Sequence, residues 1–412
     1  MEFRKTIAQL VFCAVLCTAS TFSGCSRIDE NISITTEILP DYTGGLLPDN
    51  GADTDIFTDG DISAEDISLP DNGTDNSRYI YSQLSDKEKE YYNIIRDAAY
   101  SFESSAIFPE NVDPELMKKV FVAVYNQEEE IFWLSSVFYR PNEAADRLKL
   151  SYRFDREDIP EMQRRIDEVS DRIFSQFTEE TTDYEKLKAF HDHIVLNCTF
   201  SKDTEFANTI YGCLADGYAQ CEGYAFAFDY LCSLAGIDCF TVSGTNSEGS
   251  SHAWNIVRLE DMWYNVDCTW DDPILDPVDT EYLRHYYFLV SDSDISGVTH
   301  IPDNTYFSLP ICSSGENYYK REGLYAQSAD EGISMLSECA ADALRAGKKD
   351  AGVRFADRQS YEKAITRLFD GHEIKKIITS ANAVAERKVM TGRYVRYCND
   401  VELIIHISMI FE

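Results

Sequence analysis

Between Ser26 and Ser77 thirteen acidic side chains stand against one base, Arg27, and Gly, Pro, Ser, Thr and Asn fill much of the rest. So few apolar residues cannot bury enough surface to offset the entropy of ordering the chain. The segment reads as a disordered, self-repelling stalk, so folding has to begin near Tyr79. Within the stalk, Asp55, Asp59, Gly60 and Asp66 match the ligand and glycine positions of a calcium loop. Phe57, however, falls where an oxygen ligand is required, and a solvated acidic linker is the better reading.

What precedes the stalk is an address. Arg4 and Lys5 give a basic start, Ile7 to Leu16 a short apolar run, and small residues follow. An apolar region of this length suits a secretory signal, not a membrane span. Phe22-Ser23-Gly24-Cys25 resembles a bacterial lipobox, in which the cysteine becomes the lipidated first residue. The expected organisation is a signal peptide over 1–24 and a lipidated Cys25 opening an acidic linker over 25–78. A bacterial lipoprotein tethered outside the cytoplasm follows, with the membrane as a partner through Cys25; plain secretion is the alternative.

Charge narrows the function. The 412 residues carry 37 Lys and Arg against 72 Asp and Glu, a formal net charge of −35. A nucleic-acid binder needs a basic patch that displaces counterions, so nucleic acid is excluded as a partner. At about 100–200 residues per domain the chain holds two or three folded units.

Residues 79–180 read as a mainly helical subdomain. Ser85-Asp86-Lys87-Glu88 is a capping box, Asp113-Pro114 opens a second helix, Ile131 to Tyr139 reads as a strand, and a third helix spans Pro160 to Phe177. Thr182-Asp183-Tyr184-Glu185 is a further capping box, and the helix behind it carries His191 and His193. Two positions apart, these point to different faces and cannot share a metal.

The chemistry lies between Cys221 and Asp267. After Cys221, apolar residues recur at Tyr224, Ala225, Phe228, Leu231, Cys232 and Ala235 and stop at Gly236, one face of a helix. Cys221 therefore sits at a helix N-terminus, where unpaired N–H groups and the dipole favour a thiolate and can hold an oxyanion. Strands follow at Cys239–Ser243, His252–Val257 and Trp263–Asp267, the last two joined by the turn Glu260-Asp261-Met262. Antiparallel neighbours of this length bring His252 and Asp267 together. A cysteine nucleophile, a histidine base and an aspartate that orients it is the logic of acyl transfer. Gln220 and Trp254 are candidate oxyanion and cleft residues. The cysteine–histidine spacings show no metal site, and no phosphate loop or dinucleotide fingerprint occurs, so neither metal nor cofactor is expected.

The stretches Ala219-Gln220-Cys221-Glu222-Gly223-Tyr224-Ala225, Leu234-Ala235-Gly236-Ile237, Ser251-His252-Ala253-Trp254-Asn255 and Trp263 to Pro273 resemble the bacterial branch of the transglutaminase-like superfamily. The resemblance covers roughly Thr182 to Val290. It implies an α+β chain with a papain-like transglutaminase core: a cysteine on a helix N-terminus, packed on an antiparallel sheet that carries histidine and aspartate. It implies Cys221, His252 and Asp267 as catalytic triad. The catalytic domain is drawn at 181–300 and a small C-terminal α+β domain, without assigned chemistry, at 301–412.

Two readings follow. The first is a surface-tethered thiol enzyme that acts on a protein or peptide amide through a thioester, either as peptidase or amidase or as protein-glutamine transamidase. The second is a non-catalytic cell-surface binding protein that keeps the fold. Removal of Cys13 and Cys17 with the signal and lipidation of Cys25 leave nine of the twelve cysteines. Four disulfides are then possible, with at least one thiol free.

Overall fold

The computed structural model describes residues 78–138, 144–272, 283–295 and 299–412. The signal, Cys25 and its linker up to Ser77, and Pro273 lie outside the described residues. No helix among those described is long and apolar enough to cross a membrane.

The first layer holds α1 (Asp86–Tyr100), β1 (Ser105–Val112), α2 (Pro114–Gln127), β2 (Leu134–Phe138), β3 (Ala145–Tyr152) and α3 (Ile159–Phe174). Ser85 caps α1 reciprocally: its hydroxyl accepts from Glu88 N–H, and Glu88 Oε2 accepts from Ser85 N–H at 2.7 Å. Asp113 caps α2 ahead of Pro114. The layer is less helical than the sequence suggests, because β1, β3 and β2 form an antiparallel sheet in that order. Neither β1, with Pro109, Glu110 and Asn111, nor the Lys- and Arg-bearing β3 shows clean apolar alternation, so the pattern hid both strands. The layer also lacks a core of its own. Tyr79 stacks on Phe240 at 5.0 Å, and Tyr125 meets Phe226 edge-on at 5.5 Å, inside one continuous apolar cluster.

The second layer begins with α4 (Asp183–Asn197), capped by Thr182 and Glu185. The two-residue parallel strands β4 (Thr199–Phe200) and β5 (Tyr218–Ala219) lead into α5 (Cys221–Leu234). Then come β6 (Cys239–Asn246), β7 (Ser251–Leu259), β8 (Met262–Val266), β9 (Phe288–Val290) and β10 (His300–Pro302). They form one sheet in the order β10-β6-β7-β8-β9, every pair antiparallel. The β7–β8 hairpin turns on Glu260 and Asp261, at φ 53° and 64°. Two left-handed residues match the twist of the flanking strands. All residues of α5 from Cys221 to Cys232 are buried, so this helix is the centre of the molecule.

The third layer contains β11 (Tyr325–Ala326), α6 (Ala329–Arg345), β12 (Asp350–Phe355), α7 (Arg358–Ile365), α8 (Glu373–Val384), β13 (Val389–Asn399) and β14 (Ile404–Phe411). Its sheet runs β11-β12-β14-β13. A separate core, with Leu336, Val353, Leu368, Ile378 and Ile407, fills it. The boundary differs from the one drawn at residue 301. His300–Pro302 pairs with β6, Phe307 and Cys312 belong to the central core, and the separate core starts at Ala326. All nine cysteines among the described residues are free thiols.

Two contacts lock the third layer to the second. Tyr286, Tyr287, Ile295, Tyr319 and Ile404 form a small apolar cluster. Beside it the Arg354 guanidinium donates to Asp294 at 2.7 Å and to Glu402 at 2.9 Å. Burial pushes the Glu402 carboxyl up to about 7, although Arg354 opposes the shift. A group whose folded pKa lies above its unfolded value is best tolerated protonated, so an unpaired Glu402 costs stability as pH rises. Arg354→Met should destabilise the protein by on the order of 3–5 kcal/mol at pH 8 and by clearly less at pH 5, measured as urea midpoints at both pH values.

Candidate active site

The residues singled out between Cys221 and Asp267 converge. Cys221 is the first residue of α5, and Gln220 is its N-cap. The cap is seated by its backbone: Gln220 N–H donates to Ala207 C=O at 2.8 Å, and Gln220 C=O accepts from Tyr224 N–H at 3.1 Å. The Gln220 side chain makes no capping hydrogen bond. Gly223 explains itself by contact, since a Cβ there would stand 2.4 Å from the Ala207 carbonyl oxygen. Asn255 on β7 donates to Ala225 C=O at 2.9 Å, which ties the helix to the strand that carries His252. Cys221, Ala225 and Ala253 pack together at this seam.

His252 is the second residue of β7, and Asp267 follows the last residue of β8. The His252 Nε2–H donates to Asp267 Oδ2 at 2.5 Å. Nδ1 is buried and takes no other protein partner, and the Cys221 thiol acts on the same ring. With Nε2 engaged by the carboxylate, Nδ1 is the nitrogen left for the thiol. Burial works against a charged ring, but the Asp267 carboxylate and then Cys221 outweigh it and raise His252 to about 10. Burial likewise opposes ionisation of Asp267. The His252 charge and the hydrogen bonds from His252 and His300 overcome it and hold the carboxyl well below the usual range. An imidazole raised in this way is a stronger acceptor for the proton of a thiol beside it. The array can thus supply a thiolate, keep the proton on a neighbouring nitrogen, and return it to a leaving group.

Trp254 packs beside His252. Its indole N–H donates to Asn265 Oδ1 at 3.0 Å, and its ring lies 5.9 Å from that of His252 at an interplanar angle of 20°. It supports the imidazole from the core, 2 % exposed. Trp270 meets the same ring at 5.5 Å.

Two groups escaped the sequence reading. The first is His300, on the edge strand β10, whose Nε2 lies 2.8 Å from Asp267 Oδ2. No spacing signal marks it, because 33 residues separate it from Asp267. The second lies behind the site. Asp271 accepts from Tyr286 N–H at 2.7 Å and Tyr287 N–H at 3.0 Å, and His191 Nε2 stands 3.1 Å from it. His191 Nδ1 and His285 Nε2 both reach Asp192 Oδ1, at 3.1 and 2.6 Å, and Lys188 Nζ lies 2.6 Å from Asp192 Oδ2. His193 is not part of this network; its ring faces Asn197. Asp271, read from sequence as part of a turn, is a buried acceptor that anchors the chain leading into β9.

By spacing alone, His191, Asp192 and His285, and likewise His252, Asp267 and His300, could surround a metal ion. In both groups the donors already hydrogen-bond one another, and Lys188 places a cation on Asp192.

Residues 171–268 match the transglutaminase-like superfamily. Kyphoscoliosis peptidase from Homo sapiens is 26% identical over 240 residues, a match covering 49% of this chain and 35% of that protein; the Mus musculus protein is 27% identical with the same coverage. The chain thus spans about a third of the length of these curated relatives. Among solved structures, a candidate cysteine protease from Cytophaga hutchinsonii is 20% identical, covering 28% of this chain and 43% of its own, at a TM-score of 0.23. A transglutaminase ("TGase") structure is 13% identical, covering 40% of this chain and 50% of its own, at a TM-score of 0.24. Both likenesses are too loose to bear on function.

The sign of the His252 shift gives a test. The Asp267 carboxylate holds the His252 imidazole raised to about 10, which favours the ring as acceptor of a thiol proton. Asp267→Asn removes the charge, and the ring falls toward its ordinary value of about 6.5. Cys221 alkylation by limiting iodoacetamide at pH 6–7 should then slow at least about tenfold, the equivalent of one pKa unit, as read by peptide mapping.

Proposed function

Starting from a transglutaminase-like domain that includes residues 171–268, we propose that this chain is a thiol enzyme acting on amide bonds. The observation that carries the reading is the orientation of His252. Its Nε2 is held by Asp267 at 2.5 Å, and its Nδ1 is left for a cysteine at the first position of a buried helix.

The steps follow from that geometry. Cys221 Sγ, having passed its proton to His252 Nδ1, attacks the carbonyl carbon of a substrate amide. The negative oxygen of the tetrahedral intermediate is held by N–H groups of the first turn of α5, with the Gln220 carboxamide beside them. His252 returns the proton to the leaving nitrogen, the C–N bond breaks, and a thioester to Cys221 and a free amine remain. In the second half His252 takes a proton from the acceptor. Water gives a carboxylic acid and the free thiol. A lysine amine gives a new amide and the same free thiol.

Hydrolysis is favoured, in keeping with the name of the peptidase relatives. The substrate class is protein or peptide at the cell surface, within reach of an anchor at Cys25 through the acidic linker. The charge of −35 disfavours acidic substrates at low salt.

Two outcomes are expected. With a reporter peptide amide, Cys221→Ala should lose at least about a thousandfold in kcat/KM. Wild-type protein quenched in acid should carry a substrate acyl adduct on Cys221 that neutral hydroxylamine removes, seen by intact-mass spectrometry. Separately, Cys25→Ser should move the expressed chain from the detergent phase to the aqueous phase of a Triton X-114 partition. Recovery in the aqueous phase before substitution would refute the anchor.

A further inference from the structure

Asp267 holds more than His252. Its Oδ1 accepts from Trp270 N–H at 3.0 Å, and its Oδ2 lies 2.5 Å from His252 Nε2 and 2.8 Å from His300 Nε2. The three donors come from β7, from β10 and from the turn after β8. We propose that His300 is a positioning residue of this centre: its neutral Nε2–H fixes the carboxylate that orients His252, and its ring closes that carboxylate off from water.

Four observations support the assignment. First, the second nitrogen of His300 is also engaged, since Nδ1 lies 2.8 Å from Thr299 Oγ1, a hydroxyl that also reaches Ile295 C=O at 3.1 Å. The ionised Asp267 carboxylate can only accept, which places a proton on Nε2. Second, the groups around the ring favour the uncharged form. Burial pushes His300 down, the pull of Asp267 opposes this, and the neighbouring His252 pushes it down again. A neutral donor steadies the carboxylate without setting a second cation against the His252 imidazolium.

Third, the packing admits little freedom. The His300 ring lies 5.2 Å from His252, 4.9 Å from Trp254, 4.8 Å from Trp270 and 5.7 Å from Tyr287. Fourth, a cavity of about 410 Å³ reaches the back of this cluster, lined by Trp254, Asn265, Asp292, His300, Phe307 and Leu309. His300 lines it, while Asp267 and His252 do not. The imidazole therefore stands between the carboxylate and a space large enough for several waters. Water bound to Asp267 would compete with His252 and weaken the pull on its proton.

The inference rests on the thiol-enzyme reading, and the experiment separates the two. Full-length protein is alkylated with limiting iodoacetamide from pH 5 to 10, and Cys221 modification is followed by peptide mapping. If wild-type Cys221 shows no reactivity below pH 8 that depends on His252, the thiol-enzyme reading fails, whatever His300 does. If that reactivity is present, His300→Leu, which keeps volume and removes the donor, should lower the rate below pH 8 roughly tenfold or more, as expected for a lost hydrogen bond to a charged group. It should lower kcat of the reporter amide by a similar factor with KM nearly unchanged. His300→Gln, whose amide N–H can reach the Nε2 position, should recover most of both. Wild-type behaviour of a folded His300→Leu overturns the proposal. Should that variant not fold, ¹⁵N-histidine NMR of the wild-type protein decides. A neutral ring protonated on Nε2 supports the assignment, and an Nδ1–H tautomer or an imidazolium overturns it.

Discussion

The carboxylate of Asp267 is the constraint that the rest of the site obeys. It is 2 % exposed, and a buried charge costs several kcal/mol unless donors surround it. Those donors lie far apart in the chain: His252 on β7, His300 on β10 and the Trp270 backbone. Bringing them to one point requires the order β10-β6-β7-β8-β9, in which β10 returns to the far edge of the sheet. A slip of one residue in β7 would turn His252 to the opposite face of the sheet and leave the carboxylate with too few partners. The charge thus specifies register as well as chemistry.

The helix presenting the thiol is held just as firmly. α5 is buried from Cys221 to Cys232, and its entry is pinned by the Gln220 backbone, by the Cβ-less Gly223 and by Asn255 from β7. A thiol on a rigid element keeps its distance to the neighbouring imidazole with little thermal spread, as the proposed thiol chemistry requires. The hydrogen-bonded chain Lys188, Asp192, His285, His191 and Asp271 performs a related task behind the site. It satisfies buried charges with one another and holds the Tyr286 and Tyr287 amides. The Asp267 N–H in turn donates to Tyr287 C=O at 3.0 Å, so this network and the Asp267 carboxylate share a backbone segment.

Much of this was legible in the residues. Capping boxes at Ser85 and Thr182 marked two helices to the residue. The apolar rhythm after Cys221 placed it at a helix start, and the turn Glu260-Asp261-Met262 between two strand segments gave the central hairpin. Other elements were not legible. The strands β1 and β3 carry Pro, Glu, Lys and Arg and take their strand form from pairing with each other. β10 has only three residues, too few for a period to be read. The domain edge at 301 was misplaced for the same reason: the short strand that belongs to the central sheet looks like linker until its partner β6 is in view.

Local physics set what the sequence alone could determine: which segments can fold, where helices begin, and that a cysteine, a histidine and an aspartate stand on elements able to meet. Capping, amphipathic period and charge density act over a few residues, so they can be read without the fold. The tertiary structure alone decided that His252 gives its Nε2 to Asp267, that Trp254 spends its N–H on Asn265, and that His300 shares Asp267. Those outcomes depend on competition for buried donors and acceptors among residues tens of positions apart. Such competition exists only once desolvation has forced every polar group in the core to find a partner.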